Sequence, residues 1–392
     1  MGNQPFVIRD ISVKVDGGFN VLSAYLDDDY IFFKVPEKFP LFLNAEWFIA
    51  IALLDAMVSG RDIEVDARVP VSKAFVDRFG ELQAVFSCWN PRLKKIGLSV
   101  QVSDRDQCFE NVGSYFSAGV DSSHTLVRKG DDISHLILLR VFDMGDDDES
   151  WAKRVETQSG FASRWGKVLI PVETNARDWT DDKGIAWGFA HGLLISSAGG
   201  NLGMKRLYVP SSHTYDHLFP WGSHPLTDPM WGTESTTVIH HGSDARRTQK
   251  TRTILEQPDV ANNLKVCWRN IDKNCGECAK CVRTMAAVYL LGKQVDSLPP
   301  LQDLGQLKKL RPSTDSAATS LEDLIFLARE VGNEKVYKIL KKQYRKYQRS
   351  KLTSMMDKSL LDGRLRRLYR SLKKPKWLEL RVTLLSPERG DL

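Results

Sequence analysis

From Asn111 onward, five short apolar runs are separated by segments long enough for a helix: Val112 to Phe116, Ile133 to Phe142, Lys167 to Val172, Arg206 to Pro210 and Thr237 to His240. Strands joined by helix-length crossovers line up in parallel and place helices on both faces of the sheet. The expected fold class is therefore α/β, a doubly wound parallel sheet. In open sheets of this kind ligands bind beyond the carboxyl ends of the strands, so the loops after these runs are where chemistry is sought.

The 392 residues give room for two to three domains at roughly 150 residues each. Residues 1–105 read as a small α+β domain. Its β-type runs are Phe6 to Val15, Tyr30 to Val35, Asp62 to Val69 and Ile96 to Val102, with helical patterns over Leu43 to Met57 and Val71 to Phe86. No spacing in it points to chemistry, so a structural or substrate-selecting role is expected. Residues 106–295 hold the parallel-sheet domain, and residues 296–392 are expected to be helical and basic. With 42% hydrophobic and 27% charged residues, disorder along the whole chain is excluded.

The most apolar stretch, Leu41 to Val58, is interrupted by Asn44, Glu46 and Asp55, whereas a bilayer span needs roughly 20 nearly uncharged residues. It reads as a buried helix, and no membrane partner is expected. The amino terminus carries no apolar run with a cleavage site, and Phe6 stands where a myristoylation pattern wants Ser or Thr. A cytoplasmic protein is expected. The net charge of +6 is local in origin: Lys335 to Lys376 holds 16 Lys/Arg against Asp357 and Asp362. Such a surface attracts phosphate backbones or an acidic protein, although a solvated helix face explains it equally well.

Four of the six cysteines, Cys267, Cys275, Cys278 and Cys281, crowd into fifteen positions. Four soft ligands at this spacing suit a tetrahedral Zn²⁺, and four thiolates leave no position for an activated water, so the expected metal is structural. Iron and sulfur can use the same ligands. Cys88 and Cys108 are expected as buried thiols.

Directly after the first core strand comes Ser117-Ala118-Gly119-Val120-Asp121-Ser122-Ser123, with His124 to Val127 continuing a helix. Small residues let the backbone approach a phosphate, hydroxyls supply donors, and a helix start adds aligned N–H groups. Walker and Rossmann glycine patterns are absent. Phe116-Ser-Ala-Gly-Val-Asp-Ser-Ser resembles the SGGxDS signature of the PP-loop ATP pyrophosphatase superfamily, with Ala118 in place of the usual second glycine. Val266-Cys-Trp-Arg-Asn, followed by Cys275-Gly-Glu-Cys-Ala-Lys-Cys-Val-Arg, resembles the zinc segment of the 7-cyano-7-deazaguanine synthase family. Arg247, Lys250 and Ile254, on one face of a helix predicted to begin near Asp244, resemble that family's Lys-containing helix. The resemblance covers about residues 111–291.

What the resemblance implies is adenylation of a carboxylate, 7-carboxy-7-deazaguanine, by ATP with Mg²⁺, followed by attack of ammonia or an amine. The product is a nitrile, an amide or an amide joined to a partner protein, the last as in extended relatives from bacterial defence operons. Ser117 to Ser123 hold the phosphates, with Asp121 and Lys250 catalytic. The chain departs from the family in its long extensions and in Asp143-Met144-Gly145-Asp146, only loosely like Asp-Tyr-Gly-Gln.

Between Ser211 and His241 lies a long aperiodic segment with five of the eight histidines, the pattern of a functional loop. Trp221 or Trp231 is a candidate for stacking on a heterocycle, and Asp216 or Glu234 for pairing with a guanine-type edge. Loop packing and solvation account for the same residues. Two rival functions stand beside the ligase: a PP-loop enzyme that activates a tRNA base for sulfur or nitrogen insertion, and a noncatalytic zinc module that binds nucleic acid.

Overall fold

In the computed structural model, which describes residues 4–104, 107–140, 147–270 and 272–361, the five core runs are strands of one sheet. Strands β1 (Phe6–Asp16), β2 (Phe19–Leu26) and β3 (Asp29–Pro36) form an antiparallel meander. Next to β1 lie β4 (Ile63–Val65) and β6 (Leu98–Ser99), while β5 (Val71–Ser72) and β7 (Val102–Ser103) make a separate pair. The remaining strands are β8 (Asn111–Tyr115), β9 (His135–Leu139), β10 (Val168–Thr174), β11 (Met204–Pro210) and β12 (Thr237–His241).

Across the ten-stranded sheet the order is β12-β11-β8-β9-β10-β3-β2-β1-β4-β6. Every pair from β12 to β10 is parallel, and β10 meets β3 antiparallel at Glu173–Lys34 and Thr174–Phe33. The chain is α/β with a large, mostly parallel sheet, an architecture compatible with a Rossmann-like fold.

Alternation along each strand buries both faces. On β9, Ile137 and Leu139 enter one core while Leu136 and Leu138 enter the other, and on β11 Leu207 and Val209 oppose Tyr208. The first core is covered by α1 (Glu46–Ser59), α2 (Lys73–Trp89) and α6 (Trp187–Ser197), with α5 (Ala176–Asp182) beside them. The second is covered by α3 (Val120–Lys129), α4 (Asp148–Arg164), α7 (Arg247–Leu255), α8 (Pro258–Asn262), α9 (Ala279–Leu290), α10 (Asp315–Glu330) and α11 (Glu334–Leu361).

Helix α1 is apolar all round because it is buried all round. Its Glu46 accepts the Ser72 N–H at 2.8 Å, and the Trp47 indole donates to the Leu194 carbonyl at 3.2 Å. No helix among the described residues is long and apolar enough to cross a membrane.

Some expected boundaries move. Strand β2 has no counterpart among the predicted runs, and Asp62 to Val69 forms a strand only over β4. Cys88 and Cys108, expected as buried, are exposed. Asp143 to Asp146 lie outside the described residues, as do residues 362–392 of the region expected to be helical and basic.

From β8 the strand order runs to β9 and β10 on one side and to β11 and β12 on the other. That reversal opens a crevice beyond the carboxyl ends of β8 and β11, where such sheets bind ligands.

Candidate functional site

The Ser117 to Ser123 turn lies at this crevice, between β8 and α3. Ala118 adopts φ +56°, a left-handed conformation that costs a non-glycine residue roughly 1–2 kcal/mol. Strain of this kind persists where surrounding contacts hold it. Here the Ala118 carbonyl accepts the Lys265 N–H at 2.8 Å. Inside the turn, the Ser122 hydroxyl donates to the Gly119 carbonyl at 3.1 Å, and the Ser117 and Ser122 hydroxyls lie 3.4 Å apart. Gly119 caps α3 without a side chain of its own, which leaves the first-turn N–H groups open to a ligand.

Asp121, in that first turn, is bonded by Arg247 Nη1 at 2.5 Å and by Lys250 Nζ at 3.3 Å. Burial opposes its ionisation, but the charges of Arg247, Lys250 and Arg283 outweigh it and hold the carboxyl far below the usual range. Lys250 is 2% exposed and also donates to the Ser211 carbonyl at 2.6 Å. Burial lowers its pKa, Asp121 works against that, and Arg247 adds to it. Arg283 is likewise pushed down to about 9 by burial and then by Arg247. Asp121 is thus the carboxylate on which three cations converge, with Asp323 facing Arg247 and Arg283 and Asp244 facing Lys250.

Four buried polar atoms around the turn have no hydrogen-bond partner in the protein: Ser123 Oγ, His124 Nδ1, His213 Nε2 and Arg247 Nε. Such groups are costly when left unpaired, and Arg247 Nε and the Ser123 hydroxyl are donors. Burial pushes His124, His213 and His241 down to about 4 and Lys265 down to about 8, so the three rings are neutral near pH 7. A phosphate-bearing ligand fits this donor set.

The four cysteines converge: the Sγ atoms of Cys267, Cys275, Cys278 and Cys281 all lie within 4.8 Å of one another. Backbone N–H groups of Arg269, Glu277, Cys278 and Cys281 point at the sulfurs at 3.3–3.4 Å. Gly276, at φ +68°, is needed twice over, since a Cβ there would come within 2.9 Å of Pro299. Burial raises Cys267, but bonds from the Cys275 and Arg269 backbone outweigh it and bring it to about 6, while burial pushes Cys281 up. Thiols this crowded fit one tetrahedral metal ion such as zinc.

Asn274 ties this centre to the turn. Its side chain accepts the Val266 and Cys267 N–H groups at 2.9 and 3.0 Å and donates to the Leu264 and Ser297 carbonyls. Lys265, held between, is bonded to Ala118.

The long-loop candidates separate. Trp221 packs in an aromatic group with His191, His213 and Phe219, ring centres 5.3–5.9 Å from its own. His213 in turn presents its unpaired Nε2. Asp216 is held by Arg246 at 3.0 Å, beside Arg247 in sequence. Glu234 is elsewhere, accepting the Ala74 N–H at 2.7 Å at the start of α2.

No protein-family model, curated protein or solved structure matches the chain. Sequence reasoning missed Lys265 and Arg283 at the site. Each stands two residues from one of the clustered cysteines, Lys265 from Cys267 and Arg283 from Cys281.

Proposed function

We propose that the chain is an ATP-dependent, AMP-forming ligase acting on a carboxylate, and that its acid is 7-carboxy-7-deazaguanine, as the resemblance implies. The observation that carries the nucleotide reading is the set of unpaired buried donors around a strained small-residue turn at the strand-order reversal. In this reading Ser117 to Ser123 cradle the phosphates, and Lys250 and Arg247 balance their charge. The carboxylate oxygen attacks the α-phosphorus and pyrophosphate leaves. Ammonia or an amine then attacks the acyl carbon, losing a proton as AMP departs. Adenylation replaces a poor leaving group with a good one.

Mg²⁺, when bound, shields the triphosphate charge, and Asp121 is the carboxylate the turn offers it. A structural zinc on Cys267, Cys275, Cys278 and Cys281 braces the turn. Incubation with ATP, Mg²⁺, the deazaguanine acid and ammonium or candidate amines tests the reading. AMP, pyrophosphate and a mass change in the acid are expected, whereas AMP release with the acid unaltered would remove the proposed substrate.

A second reading, with RNA as the substrate, is favoured by one observation. On α11, Lys335, Lys338, Lys342, Arg345 and Arg349 recur every three or four residues and are exposed, so they form one stripe. Replacing Lys338, Lys342 and Arg345 with Glu is expected to reduce the salt dependence of single-stranded RNA binding, the log–log slope shrinking by about 2. An unchanged slope would mean that the stripe is merely solvated. RNA-dependent pyrophosphate release would turn the assignment from the small acid to a tRNA base. Salt-sensitive binding with no AMP from any acid or RNA would leave the noncatalytic module.

A further inference from the structure

A chain of buried polar groups runs from the long loop to Lys250. Asp228, fully buried, accepts from the Ser223 hydroxyl at 2.7 Å and the His224 N–H at 3.1 Å, and lies 2.6 Å from His240 Nδ1. His240 Nε2 is 3.1 Å from the Ser243 hydroxyl, which is 2.8 Å from the Ser211 hydroxyl. The Ser211 hydroxyl donates to the His213 carbonyl at 2.6 Å, and the Ser211 carbonyl holds Lys250 Nζ at 2.6 Å. Both serines are buried.

Counting protons gives the chain a direction. A carbonyl only accepts, so the single Ser211 hydroxyl proton goes to His213. The Ser243 proton then goes to Ser211, and the ring must donate its Nε2 proton to Ser243. Four bonds need four protons, of which the two serines supply two. The Asp228–His240 pair supplies the other two, one shared between Asp228 and Nδ1 and one on Nε2.

At the other end, Lys250 spends two N–H bonds on Ser211 and Asp121, leaving a third. The turn that carries Ser243 also wraps the ammonium: Gly242 has φ +96°, and a Cβ there would come 3.5 Å from Lys250 Nζ.

We propose that Asp228, His240, Ser243 and Ser211 form a positioning chain that orients the Lys250 ammonium toward the phosphates of a nucleotide in the Ser117 turn. The identity of that ligand rests on the ATP reading above; the grip on Lys250 does not. None of the four is assigned contact with a reacting atom. They act through Lys250.

The test compares two hydroxyl deletions beside the same Asp228–His240 pair. Ser223→Ala removes a donor to Asp228 off the path, and Ser243→Ala removes the link on it. The full-length, zinc-loaded protein is treated with acetic anhydride, and Lys250 acetylation is followed by peptide mass spectrometry. Ser243→Ala is expected to speed modification about tenfold, with Ser223→Ala within about twofold of the parent. Equal acceleration in both variants, or none in either, would overturn the chain, because a merely structural network predicts that the two behave alike.

His240→Gln is the second variant, should Ser243→Ala fail to fold, and it is expected to match Ser243→Ala; parent-like rates would overturn the proposal. Inorganic pyrophosphate with Mg²⁺ is added in a parallel arm and is expected to protect Lys250 in the parent. If protection is missing while the on-path variant alone reacts faster, the chain stands and the phosphate assignment falls.

Discussion

Cys281→Ala is expected to lose its zinc and to melt at least about 8 °C below the parent. Cys281 is fully buried at the first turn of α9, its sulfur 3.9 Å from that of Cys275. Structural zinc sites contribute apparent free energies of about 10–16 kcal/mol in finger peptides. Losing even about 4 kcal/mol of that shifts a domain of this size by roughly 2–4 °C per kcal/mol. The damage travels, because Asn274 and Lys265 join the centre to the Ala118 carbonyl. Metal analysis of the purified variant and calorimetry are the checks. Stoichiometric zinc with an unchanged midpoint would show that Cys281 is not a ligand.

Asp121→Asn is expected to cut AMP formation at least about a thousandfold while zinc content stays at the parental level. Two effects combine. The turn loses the carboxylate it offers to Mg²⁺, and Arg247 and Lys250 lose their shared counter-charge, which in buried settings costs about 3–5 kcal/mol. The pH dependence separates the second effect. Burial opposes ionisation of Asp121 and the neighbouring cations outweigh it, so the folded carboxyl is depressed. Stability from a depressed acid is fully present above the unfolded value of about 3.9 and is lost only as pH falls through and below it. The parent should therefore lose stability along an acid limb that the Asn variant lacks. Matching acid limbs, or undiminished turnover, would refute the assigned role of Asp121.

The parallel half of the sheet was legible because each of its strands is an apolar run bounded by turn residues and buried on both faces. Val112 to Phe116 and Arg206 to Pro210 hardly move between expectation and structure. Strand β2 was not, since Phe19 to Leu26 mixes Asn20, Ser23 and Ala24 into its pattern; the Asp16-Gly17-Gly18 turn before it, with both glycines at positive φ, was the hairpin signal available. The cysteine set converges as its spacing implies, because ligands within fifteen residues have little room to diverge. Contacts made across the fold are another matter. The meeting of Arg283 and Asp121 depends on how α9 packs beside α7, and α7 beside α3, and no local pattern encodes it. The Asp228–His240 pair is equally silent, for its members are separated by the turn around Trp231.

The loop that carries this pair leans on α2. Phe75 stacks on Trp231 with ring centres 5.2 Å apart, Arg78 Nη2 donates to the Gly232 carbonyl at 2.6 Å, and Glu234 takes the Ala74 N–H. The opening hundred residues, silent about chemistry on their own, thus serve as the anvil on which the crevice wall is set. Wear at Phe75, far upstream of any atom facing the ligand, would be felt at Lys250 as slack in a hinge is felt at the far edge of a door.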